Sequence, residues 1–127
     1  MPGTVIASRD DERDMTFVAD TVAGFLAAAT APAVEGETIN LGTGTAHSIG
    51  AFATRILQLM AVAKPIRQDP RRIRPAGSEV LKLVADAGKA KRLLGWEART
   101  PLDEGLRAAI GFVAEHRELY KPHLYAI

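Results

Sequence analysis

Basic residues are concentrated in one short stretch of this sequence, from residue 64 to residue 74. The stretch contains five basic residues and one acid, Asp69, which gives a local excess of four positive charges. The five basic residues are Lys64, Arg67, Arg71, Arg72 and Arg74. A planar guanidinium holds two phosphate oxygens at once and suits a diphosphate better than an ammonium does. A loop of about a dozen residues is also long for a compact domain. The stretch predicts an anion-binding loop, with a solvated surface loop as the alternative.

Arg13 is a second candidate cation, because it directly precedes a segment typical of an extended strand. In an extended segment Met15 and Phe17 alternate with Thr16 and Val18, because successive side chains point to opposite sides of the backbone. An arginine at the start of such a segment can reach a ligand beside the strand. The alternative is a surface arginine paired with Asp14 or Glu12, which contributes little to stability when it is exposed.

Residues 42–47 (Gly-Thr-Gly-Thr-Ala-His) partly match the glycine pattern of a dinucleotide-binding loop. That loop needs three glycines between a strand and a helix, with an acid about 20 residues later. His47 stands in place of the third glycine, and no suitable acid follows. We therefore interpret Gly42 and Gly44 as a turn with positive φ before Ser48 caps the next helix.

Composition limits the classes of function that the chain can have. Its 127 residues, 47% hydrophobic and 24% charged, predict one globular domain. Cysteine is absent, and the three histidines are scattered, so we expect no catalytic thiol and no metal site. A net charge of +1 and 6% aromatic residues argue against a nucleic-acid partner. Its longest apolar run, residues 22–29, is far shorter than the roughly 20 residues of a membrane span. We expect a cytoplasmic protein with no membrane partner.

The pattern of apolar residues predicts an α+β domain, mostly helical, with strands too short to form a large sheet. Predicted helices cover residues 20–30, 48–60 and 86–94, with a last helix starting at residue 100. Predicted strands cover residues 4–7, 13–18, 37–41 and 66–68.

Several single residues are predicted to fix the ends and faces of these helices. Asp20, Ser48, Asp86 and Thr100 are the expected N-caps. Gly95 is the expected left-handed end of the third helix, and Trp96 is expected to wedge that end against the core. The expected buried face of the last helix consists of Leu102, Leu106, Ala109, Ile110 and Val113.

Four segments together resemble the sugar-nucleotide epimerases and dehydratases, the extended branch of the short-chain dehydrogenase/reductase family. They occur in the family's order and at similar distances, and they cover nearly the whole chain. They are residues 13–21 (Arg-Asp-Met-Thr-Phe-Val-Ala-Asp-Thr, compared with the family's Arg-Asp-[Phe/Tyr]-x-[Phe/Tyr]-Val-x-Asp), 39–44 (Ile-Asn-Leu-Gly-Thr-Gly), the Arg74-Pro75 loop leading to Glu79, and 86–96. In that family they lie in the C-terminal third of the enzyme.

The resemblance implies that residues 1–127 form a nucleotide-sugar-binding domain without the N-terminal dinucleotide-binding half of a Rossmann-type enzyme. By the family's pattern, Arg74 contacts the diphosphate, Glu79 holds the ribose hydroxyls and Arg13 points into the nucleotide site. The family's catalytic Tyr-x-x-x-Lys pair has no match, because Tyr120 is followed four positions later by Leu124. We expect no catalytic residue and no bound cofactor in this chain, with NAD or NADP implied for the whole enzyme.

The expected function is binding of a UDP-, GDP- or dTDP-linked sugar for a 4,6-dehydratase or 4-epimerase. The Arg74-Pro75 loop and residues 119–125 resemble the dehydratases most, including those of the UDP-N-acetylglucosamine type. Alone, the chain is expected to catalyse nothing. Its partner is expected to be a missing Rossmann half, or further copies of itself through an exposed apolar face. A stand-alone binding or interaction module that kept the fold without the chemistry is the main alternative, and nucleic-acid binding through the arginine loop is a weaker one.

Overall fold

The computed structural model describes residues 4–6, 9–73, 75, 77 and 80–120 of the chain. Its helices are α1 (Val18–Thr30), α2 (Ile49–Leu59), α3 (Gly88–Leu94) and α4 (Leu102–Glu115). Its strands are β1 (Thr4–Ile6), β2 (Glu12–Arg13), β3 (His47–Ser48), β4 (Ile66–Gln68) and β5 (Lys82–Leu83). Single 3-10 turns cover Pro70–Arg72 and Arg117–Leu119. The described part is a mostly helical α+β domain, as predicted.

Two small sheets lie at either end of the arginine-rich loop. In the first, β1 pairs in parallel with β4, which confirms both predicted strands. In the second, β2 is central: it runs antiparallel to β3 and parallel to β5, so Arg13 lies opposite both His47 and Leu83. This strand ends at Arg13, earlier than predicted. The loop therefore leaves one sheet at β4 and enters the other at β5, beside β2.

Helix α2 carries much of the small apolar core. Ser48 caps it as predicted, since its hydroxyl oxygen accepts a hydrogen bond from a first-turn amide at 3.1 Å. Phe52 and Ala53 are buried, each with 7% of its surface exposed. Arg55 forms an ion pair with Asp103 at the start of α4, with Nε and Oδ1 2.7 Å apart. One apolar stripe and one ion pair thus hold α2 to the rest of the domain.

The end of α3 is fastened to α1. Gly95 ends α3 in the left-handed region, with φ of 62°, as predicted. Trp96 is 6% exposed, and its indole Nε1 donates a hydrogen bond to the backbone oxygen of Asp20 at 2.8 Å. The prediction that Trp96 wedges this helix end against the core is confirmed.

Three of the four predicted N-caps do not lie at the N-cap position of their helix. Helix α1 begins after Phe17, and Asp20 lies in its first turn with its carboxylate accepting a bond from the amide of Thr100 at 2.9 Å. That carboxylate therefore ties two segments together instead of capping α1. The N-cap position of α4 is Pro101, so Thr100 does not cap that helix. Asp86 lies one residue before the N-cap position of α3, yet it accepts the first amide of that helix at 2.8 Å.

The strand predicted over residues 37–41 is also wrong. A β-strand requires a second strand to share backbone hydrogen bonds, and these five residues form no ladder within the described part of the chain. Lys89 instead donates from its ammonium group to the backbone oxygen of Thr38 at 3.1 Å. Leu41 lies against α1, where a Cβ on Gly24 would come within 2.5 Å of its Cδ1 atom.

The predicted buried face of the last helix is only partly correct. Leu102, Leu106 and Ile110 are half-buried, whereas Ala109 and Val113 are exposed. The buried residue of α4 is Gly105, because the ring of Phe17 lies 3.2 Å from where its Cβ would be. The side of α4 that packs against Phe17 therefore differs from the apolar face that was predicted to be buried.

Candidate functional site

Arg13 lies in the central strand of the three-stranded sheet, next to the strand that follows the arginine-rich loop. Parallel pairing places Arg13 opposite Leu83, and the backbone amides of Glu12 and Asp14 donate to the oxygens of Leu81 and Leu83 at 2.7 and 3.1 Å. Register in a paired strand fixes which residues are neighbours. The chain leaving the loop is therefore held directly beside Arg13.

The side chain of Arg13 is partly buried and held in place by its own strand. Only 25% of it is exposed, and its Nη1 donates to the backbone oxygen of Glu12 at 2.8 Å. Its Nη2 lies 4.0 Å from the carboxylate of Asp11, a residue that is 7% exposed. Among the described residues its acidic neighbour is thus Asp11, and Glu12 pairs instead with Lys82 at 3.2 Å. A surface arginine paired with Asp14 or Glu12 does not match this geometry.

Asp14, the next residue, joins three segments of the chain. Its Oδ1 accepts from the amide of Thr43 at 3.0 Å and from the hydroxyl of the same residue. Its Oδ2 accepts from the amides of Gly44 at 2.9 Å and Ala85 at 3.3 Å. Burial raises the pKa of Asp14, but the bonds from Thr43, Gly44 and Ala85 outweigh burial and hold that pKa below its ordinary value.

The glycine turn at residues 42–44 receives this carboxylate at close range. Gly44 has φ of 76°, which confirms the predicted positive φ at this glycine, whereas Gly42 does not have a positive φ. A Cβ on Gly42 would lie 2.3 Å from the Cβ of Ala85 and 2.8 Å from Oδ2 of Asp14, so only glycine fits there. The amides of Thr43 and Gly44 donate to the carboxylate of Asp14, so they are not available to bind a phosphate. This geometry favours the turn interpretation over a dinucleotide-binding loop.

The start of the arginine-rich loop is organised by Asp69. Its Oδ1 accepts from the backbone amide of Arg71 at 3.0 Å, and its Oδ2 lies 3.0 Å from Nη2 of the same arginine. The Arg71 side chain is 88% exposed, and its bond with Asp69 raises its pKa further above the ordinary value. Arg71 is thus an exposed residue paired with an acid of its own loop. Arg74 and Glu79 lie outside the described residues, so their predicted roles remain predictions.

Sequence reasoning missed Asp11 as the acid beside Arg13, and it considered Asp14 only as a possible partner of Arg13, missing its role in joining three segments. Asp11 could have been found from strand alternation, because residues i and i+2 share a side of a strand. Asp14 carries a weaker signal, since its bonding partners lie 29, 30 and 71 positions away. Only the proximity of an acid to an arginine at a strand end could have pointed to it.

The described residues contain no candidate metal cluster and no candidate membrane-spanning helix. Within residues 4–6, 9–73, 75, 77 and 80–120, no three acidic or histidine side chains gather as metal ligands would. Over the same ranges, every helix is too short or too polar to cross a membrane.

Comparison with known proteins identifies the family. The family model for GDP-mannose 4,6 dehydratase matches residues 3–109. UDP-glucuronic acid decarboxylase 1 of Xenopus tropicalis is 34% identical over 121 residues, which are 91% of this chain and 26% of the relative. The chain therefore belongs to the sugar-nucleotide epimerase and dehydratase family of extended short-chain dehydrogenase/reductases, as the resemblance implied.

Solved structures have the same fold over a similar share of their length. UDP-glucose 4-epimerase from Thermotoga maritima, solved with UDP-glucose, is 26% identical with a TM-score of 0.78 over 89% of this chain and 35% of its own. The enzyme WbmF of Bordetella bronchiseptica, solved with NAD+, is 27% identical with a TM-score of 0.72 over 94% of this chain and 34% of its own. The chain thus spans about a quarter to a third of the length of these proteins.

Proposed function

We propose that residues 1–127 form the nucleotide-sugar-binding domain of an NAD- or NADP-dependent 4,6-dehydratase or 4-epimerase, and that Arg13, Arg74 and Glu79 bind the nucleoside diphosphate. The observation that carries the proposal is the position of Arg13, partly buried and directly beside the strand into which the arginine-rich loop leads. Glu79 is four residues before Leu83, the strand partner of Arg13, a separation of at most about 14 Å of extended chain. This short separation supports Glu79 as a ligand of the same molecule that Arg13 binds, and Arg74 is proposed to complete the site.

The chemistry of the ligand follows from the cations. A guanidinium forms two parallel charge-assisted hydrogen bonds with phosphate oxygens, so two arginines are proposed to bind the two phosphates of a diphosphate. Glu79 is proposed to accept hydrogen bonds from the two ribose hydroxyls. Binding energy gained at this remote part of the substrate holds the sugar against a nicotinamide ring.

The nucleotide and the reaction are proposed only at the level of class. The family model is named for a GDP-sugar enzyme, whereas two of the relatives compared above are named for UDP-sugars. We therefore propose a UDP-, GDP- or dTDP-linked sugar, a lyase or isomerase reaction for the whole enzyme, and a cytoplasmic location. NAD or NADP would be bound by the catalytic part, since this chain has no Tyr-x-x-x-Lys pair and only part of a dinucleotide motif.

The outer face of α1 supports the proposal that the domain works against a second folded unit. Val18, Val22, Phe25 and Leu26 are 48% to 68% exposed there. Apolar residues clustered on one side of a helix are ordinarily covered by another structure. A Rossmann half, on the same or a separate polypeptide, is proposed to cover this face, and the chain alone is proposed to self-associate through it.

Calorimetric titration with UDP, GDP and dTDP tests the binding proposal. One of the three should bind, and Arg74→Ala should weaken binding by about 1.5–3 kcal/mol, the cost of losing a charge-assisted bond. Arg71→Ala is the matched control, because Arg71 is 88% exposed and paired with Asp69, so its affinity should equal that of the wild type. Equal affinities for both variants would remove Arg74 from the site.

A second function class is favoured by the same exposed face. A stand-alone interaction module would use α1 for a partner and would bind no nucleotide. The two proposals predict different results in the calorimetric titration, because only the first expects a nucleotide to bind. They also differ in turnover: the first expects dehydratase or epimerase activity when a Rossmann half is added, and none from this chain alone. Turnover by the chain alone would contradict the assignment of all catalytic groups elsewhere.

A further inference from the structure

We propose that Asp14 is the positioning residue of the Arg13 site, holding β2 against both the glycine turn and the strand that leaves the arginine-rich loop. The inference rests on the proposed function, because it assigns a role at the same binding site. Asp14 does not itself contact the ligand in this proposal. It acts through the position of Arg13 relative to the loop.

The geometry joins three distant parts of the chain at one carboxylate. Four donors converge on its two oxygens: the amide and hydroxyl of Thr43 on Oδ1, and the amides of Gly44 and Ala85 on Oδ2. A charged acceptor makes stronger bonds with such donors than a neutral one does. The carboxylate therefore connects β2, the turn before β3 and the residues just after β5.

Short strands make this side-chain connection necessary. β2, β3 and β5 have only two residues each, and pairs of that length have few backbone bonds with which to fix their register. The bond from Ala85 to Asp14 continues the pairing of β2 with β5 beyond the last backbone bond, from Asp14 to Leu83. Asp14 thus supplies additional hydrogen bonds that fix the register of strands too short to fix it by backbone bonds alone.

Neighbouring side chains on a strand point to opposite sides. Asp14 points toward the glycine turn, whereas Arg13 lies on the side of Asp11, two residues earlier. One residue can therefore anchor the strand while the side chain of the preceding one lies on its other side. Loss of the anchor should shift or loosen Arg13 without removing any group from the ligand side.

The test compares Asp14→Asn with Asp20→Asn. Asp20 is a matched control, because its carboxylate also accepts a backbone amide from a distant segment, that of Thr100 at 2.9 Å, and its pKa is likewise lowered. Its partners, Trp96 and Thr100, lie at the junction of α1, α3 and α4 and are not among the partners of Asp14. Asp14→Asn keeps the shape of the side chain but replaces one acceptor oxygen by an NH2 group, which cannot accept a hydrogen bond from the backbone amides around it.

Affinity for the nucleoside diphosphate that binds the wild type is measured by calorimetry at a temperature where all variants are folded. Asp14→Asn should raise Kd at least tenfold, whereas Asp20→Asn should leave Kd within twofold even though both lower the melting temperature. Equal Kd values for wild type and Asp14→Asn would overturn the inference alone. Absence of binding by the wild type would overturn the proposed function, and this inference with it.

A double-mutant cycle separates positioning from a general effect on the fold. If Asp14 acts through Arg13, adding Asp14→Asn to Arg13→Ala should weaken binding by less than twofold further, because the group being positioned is already gone. Additive losses would contradict the inference. Should Asp14→Asn fail to fold, Thr43→Val removes one of the same bonds, and it should raise Kd a few-fold in wild type and leave it unchanged in Arg13→Ala.

Discussion

Helices α1 and α2 both have apolar residues at helical spacing, yet they use them in opposite ways. α2 turns Phe52 and Ala53 into the core, where each is 7% exposed. α1 turns its small side inward, with Gly24 as its buried residue, and leaves Phe25 and Leu26 68% and 64% exposed. An apolar stripe therefore identifies a helical face, but it does not say whether the cover for that face belongs to the same chain.

The manner of attachment differs as well. α2 is held mainly by buried apolar side chains, with the Arg55–Asp103 ion pair at its side. α1 is held by close approach at Gly24 and by two hydrogen bonds at Asp20, one from Trp96 and one from Thr100. A helix attached by small residues and polar contacts can be covered on its other side by a large partner without rearranging the domain.

The largest effect should come from the α2 face. Phe52→Ala removes a buried ring that also meets His47 edge-on, with the ring centroids 5.5 Å apart. Deleting a buried phenylalanine ring lowers the free energy of unfolding by about 3–5 kcal/mol. Urea unfolding followed by circular dichroism measures it, and a change below about 1 kcal/mol would contradict the assignment of α2 to the core.

A smaller loss is expected where α1 touches the domain. Gly24→Leu places a large side chain where even a Cβ comes within 2.5 Å of Leu41, and such overpacking lowers the free energy of unfolding by about 1–3 kcal/mol. Gly111→Leu in α4 is the control, because nothing lies within 4 Å of its Cβ position, and it should be neutral or slightly stabilising. Equal losses at both glycines, measured by thermal unfolding, would show that α1 does not rest on Leu41.

Acid should distinguish the two modes of attachment. Burial raises the pKa of Asp20, but bonds from Thr100 and the nearby Arg99 outweigh burial and lower that pKa below the ordinary 3.8. Because the folded-state pKa is lowered, the contribution of Asp20 is present above pH 3.8 and is lost as the pH falls through the lowered value. In Asp20→Asn the melting temperature should fall less steeply with decreasing pH below pH 4 than in the wild type. In Ser48→Ala the melting temperature should fall with the same slope as in the wild type. A wild-type slope in Asp20→Asn would refute the attachment through this carboxylate.

The smallest effect on stability should come from the outer face of α1. Phe25→Ala is the counterpart of Phe52→Ala, but its ring is 68% exposed, so the free energy of unfolding should change by about 0.5 kcal/mol or less. Self-association measured by sedimentation velocity should decrease in the same variant, since a large apolar ring leaves the exposed face. A monomeric wild type would contradict the proposed self-association.

Local sequence signals predicted the features that depend on a few neighbouring residues. The Ser48 cap, the left-handed Gly95, the positive φ of Gly44 and the positions of the four helices follow from backbone sterics and nearby hydrogen bonds. Predictions failed where a distant segment competes for the same group. Asp20 bonds to Thr100 instead of capping α1, and residues 37–41 have no described strand to pair with.

For the candidate site, the sequence by itself determined which residues could bind a diphosphate, because the guanidinium of Arg13 and the arginines of the loop have that chemistry wherever they lie. Only the tertiary structure decided that Arg13 is partly buried beside the strand leaving the loop, and that Asp14 holds both in register. The physical reason is range: side-chain chemistry belongs to single residues, whereas the strand pairing and the bonds to Asp14 join residues 29 to 71 positions apart.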